Sequence, residues 1–212
     1  MKGLFISFEG TEGSGKSTQV TFLAEHLSRL GRRVLTLREP GGTPIGEEIR
    51  HTLKHSSSNH AMTWEAELLL MNASRAQLVR QVIRPALDAG RIVLCDRFFD
   101  SSTAYQGYGR QLDLQTVSAV IDFAVGPTLP DLTLLLSVPL AVSESRRQQR
   151  QATLFSSTRD RMEEADRAFF ERVERGFAAI ARDNPARVKS VDATQSPEAV
   201  QAAIWTLVQP LL

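Results

Sequence analysis

The sequence predicts an α/β fold: a parallel β-sheet covered by helices on both faces. Three observations carry that expectation. Five short apolar runs have strand length, helical periodicities lie between them, and a glycine-rich loop joins the first strand to the first helix. The first run, "GLFISFEG" (3–10), is β-branched and aromatic and reads as a buried strand. Beyond the loop, Val20, Leu23, Ala24, Leu27 and Leu30 recur at helical spacing, and Gly31 stands where that helix stops. "RVLTLR" (33–38) is the second strand. Residues 65–84 form a long unbroken helical stretch with Pro85 near its end. "RIVLCD" (91–96), "LTLLLSV" (132–138) and "RVKSVDA" (187–193) complete the strands. Val173, Phe177 and Ile180 mark an amphipathic helix beginning near Glu163. Ser196-Pro197-Glu198 caps a last helix through Val200, Ile204 and Leu207.

The loop itself reads "GTEGSGKST" (10–18). Gly10, Gly15, Lys16 and Ser17 match a phosphate-binding pattern, with four arbitrary residues before the Gly-Lys-Ser ending. The cradle comprises Gly10, Thr11, Glu12, Gly13, Ser14, Gly15, Lys16, Ser17 and Thr18. Its glycines let successive backbone N–H groups point inward at phosphate oxygens. Lys16 reaches the outer phosphates, and the Ser17 hydroxyl can bind Mg²⁺. A strand before the loop and a helix after it aim a helix N-terminus at the anion.

Bulk properties narrow the field. The 212 residues suit one globular domain, or one with a small inserted lid, and 42% hydrophobic content is enough for a real core. A net charge of +1 argues against a general nucleic-acid binder. The single cysteine, Cys95, ends an apolar run and reads as a small buried hydrophobe, consistent with a reducing compartment. The chain opens directly on a strand, without a secretory signal, and no apolar stretch could span a bilayer. His26, His51, His55 and His60 lack metal-ligand spacing and read as surface residues.

Ligands of parallel sheets gather beyond the carboxyl ends of the strands. "REPGG" follows the second strand there, and "DRFFDSSTAYQG" follows the third. Asp96 at the third strand's end is placed to bind magnesium, the alternative being a surface ion pair with Arg97. Ser102, Tyr105 and Gln106 sit at i, i+3 and i+4, so one helical turn would present them together. The arginine-rich segment 144–161 is the candidate lid, because exposed phosphates need arginines from somewhere.

Taken together, "FEGTEGSGKST" (8–18), "REPGGTPIGEEIR" (38–50), "CDRFFDSSTAYQGYGR" (95–110), "PDLTL" (130–134) and "DRMEEADRAFF" (160–170) resemble the bacterial thymidylate kinase family. The resemblance implies a P-loop NTPase-type three-layer sandwich, with a five-stranded parallel sheet and a small lid. It also implies transfer of the γ-phosphate of ATP to dTMP with Mg²⁺, giving dTDP on the way to dTTP, by a cytoplasmic homodimer. By that resemblance Lys16 serves the donor, Arg97 lies near both phosphates, and Arg50 holds the dTMP phosphate. Glu12 contacts the sugar 3′-hydroxyl. Base and deoxyribose fall to Arg75, Ser102, Tyr105 and Gln106, and Ser17 and Asp96 take the metal. "DATQ" (192–195) corresponds to the segment near adenine. The loop carries no arginine of its own, so the lid must supply a cation, with Arg161, Arg150 and Arg159 as candidates.

Two departures stand out. Met71 occupies the position where the family usually stacks a phenylalanine on thymine, and a methionine covers a ring less rigidly. The stretch between Arg150 and Asp160 is longer than is general in the family. The competing readings are a kinase for dUMP, dCMP or a nucleoside on the same scaffold, and a nucleotide-dependent switch or binding module. A guanine-reading Asn-Lys-x-Asp segment is absent from the sequence.

Overall fold

The computed structural model describes residues 3–153 and 166–212, and side chains for residues 3–149 and 166–212. Its sheet contains β1 (Leu4–Glu9), β2 (Val34–Arg38), β3 (Ile92–Asp96), β4 (Leu132–Ser137) and β5 (Val188–Asp192). The order is β2-β3-β1-β4-β5, and every pairing is parallel. Each strand lies within the run expected for it. The inner strands β1, β3 and β4, buried on both faces, read as nearly continuous apolar stretches, whereas the edge strands β2 and β5 are part-exposed and mix apolar with polar residues.

Helices cover both faces. On one, α1 (Lys16–Arg29) and α9 (Pro197–Val208) press Leu23, Leu27, Ile204 and Val208 against Ile6, Phe8 and Leu134. On the other lie α3 (Trp64–Leu78), α4 (Arg84–Asp88) and α6 (Leu114–Val125). They bring Leu78, Ala86, Val117 and Val125 onto Phe5, Val93 and Cys95. The thiol of Cys95 is fully buried, as its place in an apolar run implied. A third cluster joins α8 (Arg167–Asp183) to the β4–β5 side through Phe169, Phe170, Val173 and Phe177. Between β2 and α3 runs α2 (Pro44–Lys54), and α7 (Leu140–Thr153) follows β4.

Four local expectations change. The long helical stretch 65–84 is not unbroken: a π-helical turn, Val79–Ile83, interrupts it, and α4 carries Pro85 in its first turn and continues to Asp88. Proline lacks the N–H that a regular turn would use, and the first turn is where that loss is tolerated. The amphipathic helix begins at Arg167, capped by the Asp166 carboxylate accepting from the Phe169 N–H, and Glu163 lies outside the described residues. In α9 the buried apolar residue of the last turn is Val208, with Leu207 only partly covered. His26 is half-buried with its ring centroid 4.1 Å from that of Trp205, whereas His51, His55 and His60 are exposed.

Candidate active site

The strand order reverses at β1, which lies between β3 and β4, and the crevice above its carboxyl end is where such sheets bind ligands. A cleft of about 580 Å³ opens there. The glycine loop forms its floor. Gly10 has φ 136°, and a Cβ on it would run into the Leu136 carbonyl of β4. Gly13 has φ 80°, and a Cβ there would lie 2.9 Å from the Ser143 carbonyl of α7. Both positions need glycine, for conformation and for room.

Lys16 opens α1 and is buried. Its ammonium donates to the Gly10 carbonyl at 3.1 Å and the Thr11 carbonyl at 2.8 Å, with Ser14 Oγ at 3.4 Å. Burial, and then the neighbouring Arg97, lower its pKa to about 7. A phosphate beside the ammonium would oppose that shift by adding negative charge. Ser17 Oγ donates to Asp96 Oδ2 at 2.6 Å, so the first turn of α1 is tied to the end of β3. Asp96 pairs there rather than with Arg97. A hydroxyl and a carboxylate at the mouth of a phosphate cradle are hard oxygen donors and fit Mg²⁺, which keeps several waters and takes the rest of its shell from phosphates.

Arg97 follows Asp96 with φ 69°, a left-handed conformation that arginine seldom adopts. The surroundings hold it there. Its guanidinium donates to the Gly10 carbonyl and to Ser101 Oγ at 3.1 and 3.0 Å, and to the Tyr105 hydroxyl at 3.3 Å. Beneath it, the buried Glu9 carboxylate accepts from the Phe98 N–H at 2.7 Å and from Ser101 Oγ at 2.6 Å. Burial, with the Asp100 charge adding to it, pushes Glu9 up to about 7. Asp100 is in turn clamped by Arg187 at 2.6 Å. A cation between the two halves of the cleft is thus fixed by the glycine loop and by the Ser101–Tyr105 turn, which Glu9 and Arg187 hold from behind.

Arg75 lines the opposite wall of the cleft and is only 2% exposed. It donates from Nε to Glu39 Oε2 at 2.8 Å, and to Asn72 Oδ1 at 2.7 Å, Ser102 Oγ at 3.0 Å and the Phe98 carbonyl at 3.3 Å. Glu39 directly follows β2, and burial raises its carboxyl to about 7 against the pull of Arg75. Arg50 of α2 donates to the Pro40 carbonyl at 2.9 Å and lines the same wall. Met71, four residues before Arg75 on α3, also faces the cleft.

Ser102, Tyr105 and Gln106 all line the cleft as their spacing implied. The turn that carries them differs from expectation: α5 (Phe99–Ser102) passes into a π-helical segment, Thr103–Gly109. Burial pushes the Tyr105 phenol up, with Arg97 opposing. Of the loop, Glu12, Gly13, Gly15, Lys16, Ser17 and Thr18 reach the cleft surface, while Gly10, Thr11 and Ser14 are buried beneath. Arg159 and Arg161 lie outside the described residues, as does the side chain of Arg150. Arg146 of α7 does reach the cleft, donating to the Gly13 and Ala193 carbonyls at 3.4 and 3.0 Å. Together these bonds bridge the loop and the "DATQ" turn at the end of β5.

Arg38, Lys54, Phe98 and Ser101 also line the cleft and were not singled out from the sequence. Ser101 stands in the quoted "DRFFDSSTAYQG" segment, and its signal was the adjacent serine already assigned. Arg38 opens the quoted "REPGG" segment, whereas Lys54 had no pattern of its own. Among the described residues, no cluster of three or more His, Cys, Asp or Glu side chains could hold a metal, and no helix is long and apolar enough to cross a membrane.

Known proteins are similar to this chain along nearly its whole length. A family model described as thymidylate kinase matches residues 8–204. The thymidylate kinase of Pseudomonas syringae pv. syringae is 46% identical over 212 residues, covering 100% of this chain and 98% of the relative. That of an Exiguobacterium species is 46% identical over 201 residues, covering 95% and 92%. A crystal structure of thymidylate kinase from Ehrlichia chaffeensis superposes with a TM-score of 0.78 at 32% identity, covering 99% of this chain and 100% of that one. With its five-stranded parallel sheet and phosphate loop, the chain belongs to the thymidylate kinase family of nucleoside-monophosphate kinases.

Proposed function

We propose that this protein transfers the γ-phosphate of ATP to dTMP in the presence of Mg²⁺, giving dTDP for dTTP synthesis. One observation carries the reading: a single cleft is lined by the phosphate loop on one side and by Arg50, Met71, Arg75 and Gln106 on the other, with Arg97 between.

Phosphoryl transfer asks a protein mainly for positioning and positive charge. Lys16, held by loop carbonyls until a phosphate replaces them, takes the donor's outer phosphates. Arg50 takes the acceptor phosphate, and the clamped Arg97 faces both. The attacking oxygen belongs to a phosphate whose second pKa is about 6, so it is ionised at neutral pH and needs no general base. Ser17 and Asp96 would hold the Mg²⁺, which when bound neutralises charge on the phosphates. Glu12 and Tyr105 approach the deoxyribose, Ser102 supports Arg75, and the Arg75 N–H groups meet a base carbonyl. The lid, about residues 144–161 within a single domain spanning 1–212, supplies a further cation from Arg161 or Arg150.

We also read the protein as a cytoplasmic homodimer. Leu69 of α3 and Leu114 and Phe123 of α6 are large exposed apolar side chains on two helices that pack together, which supports a partner-facing surface. The test of function is a panel of dTMP, dUMP, dCMP and UMP as acceptors in a coupled ADP assay. The reading expects dTMP to be preferred, dUMP to be measurable and dCMP to be poor. Equal rates with all four, or ADP release independent of acceptor, would overturn it.

A further inference from the structure

Behind the base side of the cleft lies an ion pair that touches none of the cleft's surface. Glu67 of α3 is 1% exposed. Its two oxygens receive Arg110 Nη2 at 3.2 Å and Arg110 Nε at 3.3 Å. The Arg110 guanidinium is itself sandwiched, 4.0 Å from the Trp64 ring centroid and 4.5 Å from that of Phe169. The Glu67 carboxylate is therefore fixed in place, and it accepts a third hydrogen bond, from Gln106 Nε2 at 2.9 Å.

That last bond decides which way the Gln106 amide points. An amide has a donor end and an acceptor end, whereas a carboxylate only accepts. Turned the other way, the Gln106 oxygen would face a buried negative charge with nothing between them. The –NH₂ end is thereby committed to Glu67, and the carbonyl oxygen is the pole left for the cleft that Gln106 lines.

We infer that Glu67 is a specificity-positioning residue: held by Arg110, it orients Gln106 so that the cleft presents a hydrogen-bond acceptor to the base. This rests on the proposal that the base lies against Gln106. Thymine and uracil carry one ring N–H, at position 3, and it is a donor. Cytosine has a bare nitrogen there, an acceptor, which would oppose the Gln106 oxygen. The site therefore selects keto pyrimidines by the polarity of two groups, Arg75 donating and Gln106 accepting, and the second polarity is set by a residue outside the cleft.

The experiment compares kcat/KM for dTMP and dCMP in wild type, Glu67→Gln, Gln106→Met and Arg110→Lys. In Glu67→Gln neither orientation of the Gln106 amide is forced. In Gln106→Met both poles are gone and the buried ion pair is untouched, so folding is less at risk. Polar mismatches in a closed site can reach on the order of 10⁴ in kcat/KM, shared here with Arg75, so Glu67→Gln and Gln106→Met should each lower the dTMP-to-dCMP ratio about tenfold or more. Arg110→Lys keeps the carboxylate and its charge partner, and should keep the ratio whatever it does to thermal stability. A merely structural role for Glu67 would slow both substrates alike. An unchanged ratio in Gln106→Met, or in folded Glu67→Gln, overturns the inference while leaving a dTMP-preferring wild type intact. A wild type with no dTMP preference would instead sink the functional proposal.

Discussion

Replacing Glu39 by Gln should change how stability depends on pH, and the size of the change follows from the geometry. Glu39 Oε2 is bonded to Arg75 at 2.8 Å, while its Oε1 is buried with no hydrogen-bond partner among the described residues. Burial raises the carboxyl from 4.5 to about 7. Between those values the folded protein keeps a proton that the unfolded chain has released. Stability contributed at this site is therefore full below the unfolded value and falls as pH rises toward the folded one. At about 1.4 kcal/mol per pH unit, that interval is worth about 3 kcal/mol. Glutamine has no such proton. Urea denaturation of wild type and Glu39→Gln, side by side from pH 4.5 to 8, isolates the effect because titrations common to both, Glu9 included, cancel. The variant should improve relative to wild type by up to about 3 kcal/mol across the range. Parallel curves would show that Glu39 ionises in the folded protein as it does in the unfolded chain, and would refute the reasoning.

Three further outcomes can be checked by kinetics and calorimetry. Lys16→Ala should lower turnover by roughly 10²–10³ or more while dTMP binding stays near normal, since the lost charge faces the donor; near-normal kcat would remove Lys16 from the mechanism. Arg161→Ala should lower kcat steeply with a smaller change in KM, as for a contact made in the transition state. If it does not, Arg146→Ala is the variant expected to do so, because Arg146 already stands beside the loop at Gly13. Met71→Phe should tighten dTMP binding by about 1 kcal/mol, the low end of base–aromatic stacking, and calorimetry showing weaker or unchanged affinity would place Met71 away from the base.

What could be read from the sequence was whatever depends on local pattern. The inner strands β1, β3 and β4 were visible because a strand buried on both faces is a nearly continuous apolar run, and the part-exposed edge strands β2 and β5 were visible as short runs that mix apolar with polar residues. The phosphate loop was visible because glycine spacing encodes its backbone. Tyr105 and Gln106 reached the cleft even though their turn is wider than an α-helical one, since both spacings keep neighbours on one side. The scaffold beneath the cleft was hidden for the opposite reason. Glu9, Glu39, Glu67 and Asp100 carry no local pattern that marks them as buried, and charged residues are seldom fully buried unless paired. Their partners lie far along the chain: Arg75 is 36 residues from Glu39, Arg110 is 43 from Glu67, and Arg187 is 87 from Asp100. Only the folded sheet and helices bring such pairs together. Arg75 illustrates the difference, because its ion-pair partner is Glu39 from the loop after β2 rather than Glu67 on its own helix. The left-handed backbone of Arg97 was equally invisible, being imposed by Glu9, Gly10 and Ser101 rather than by its own preference.

The central claim is that one cleft brings a donor and an acceptor phosphate together for direct transfer. It is tested most directly by following the label from γ-³²P ATP in a single turnover with Mg²⁺ and wild-type protein, with and without dTMP. The account predicts labelled dTDP as the product when dTMP is present, and unchanged labelled ATP over the same interval when it is absent. Labelled inorganic phosphate released at the same rate with or without dTMP would contradict it.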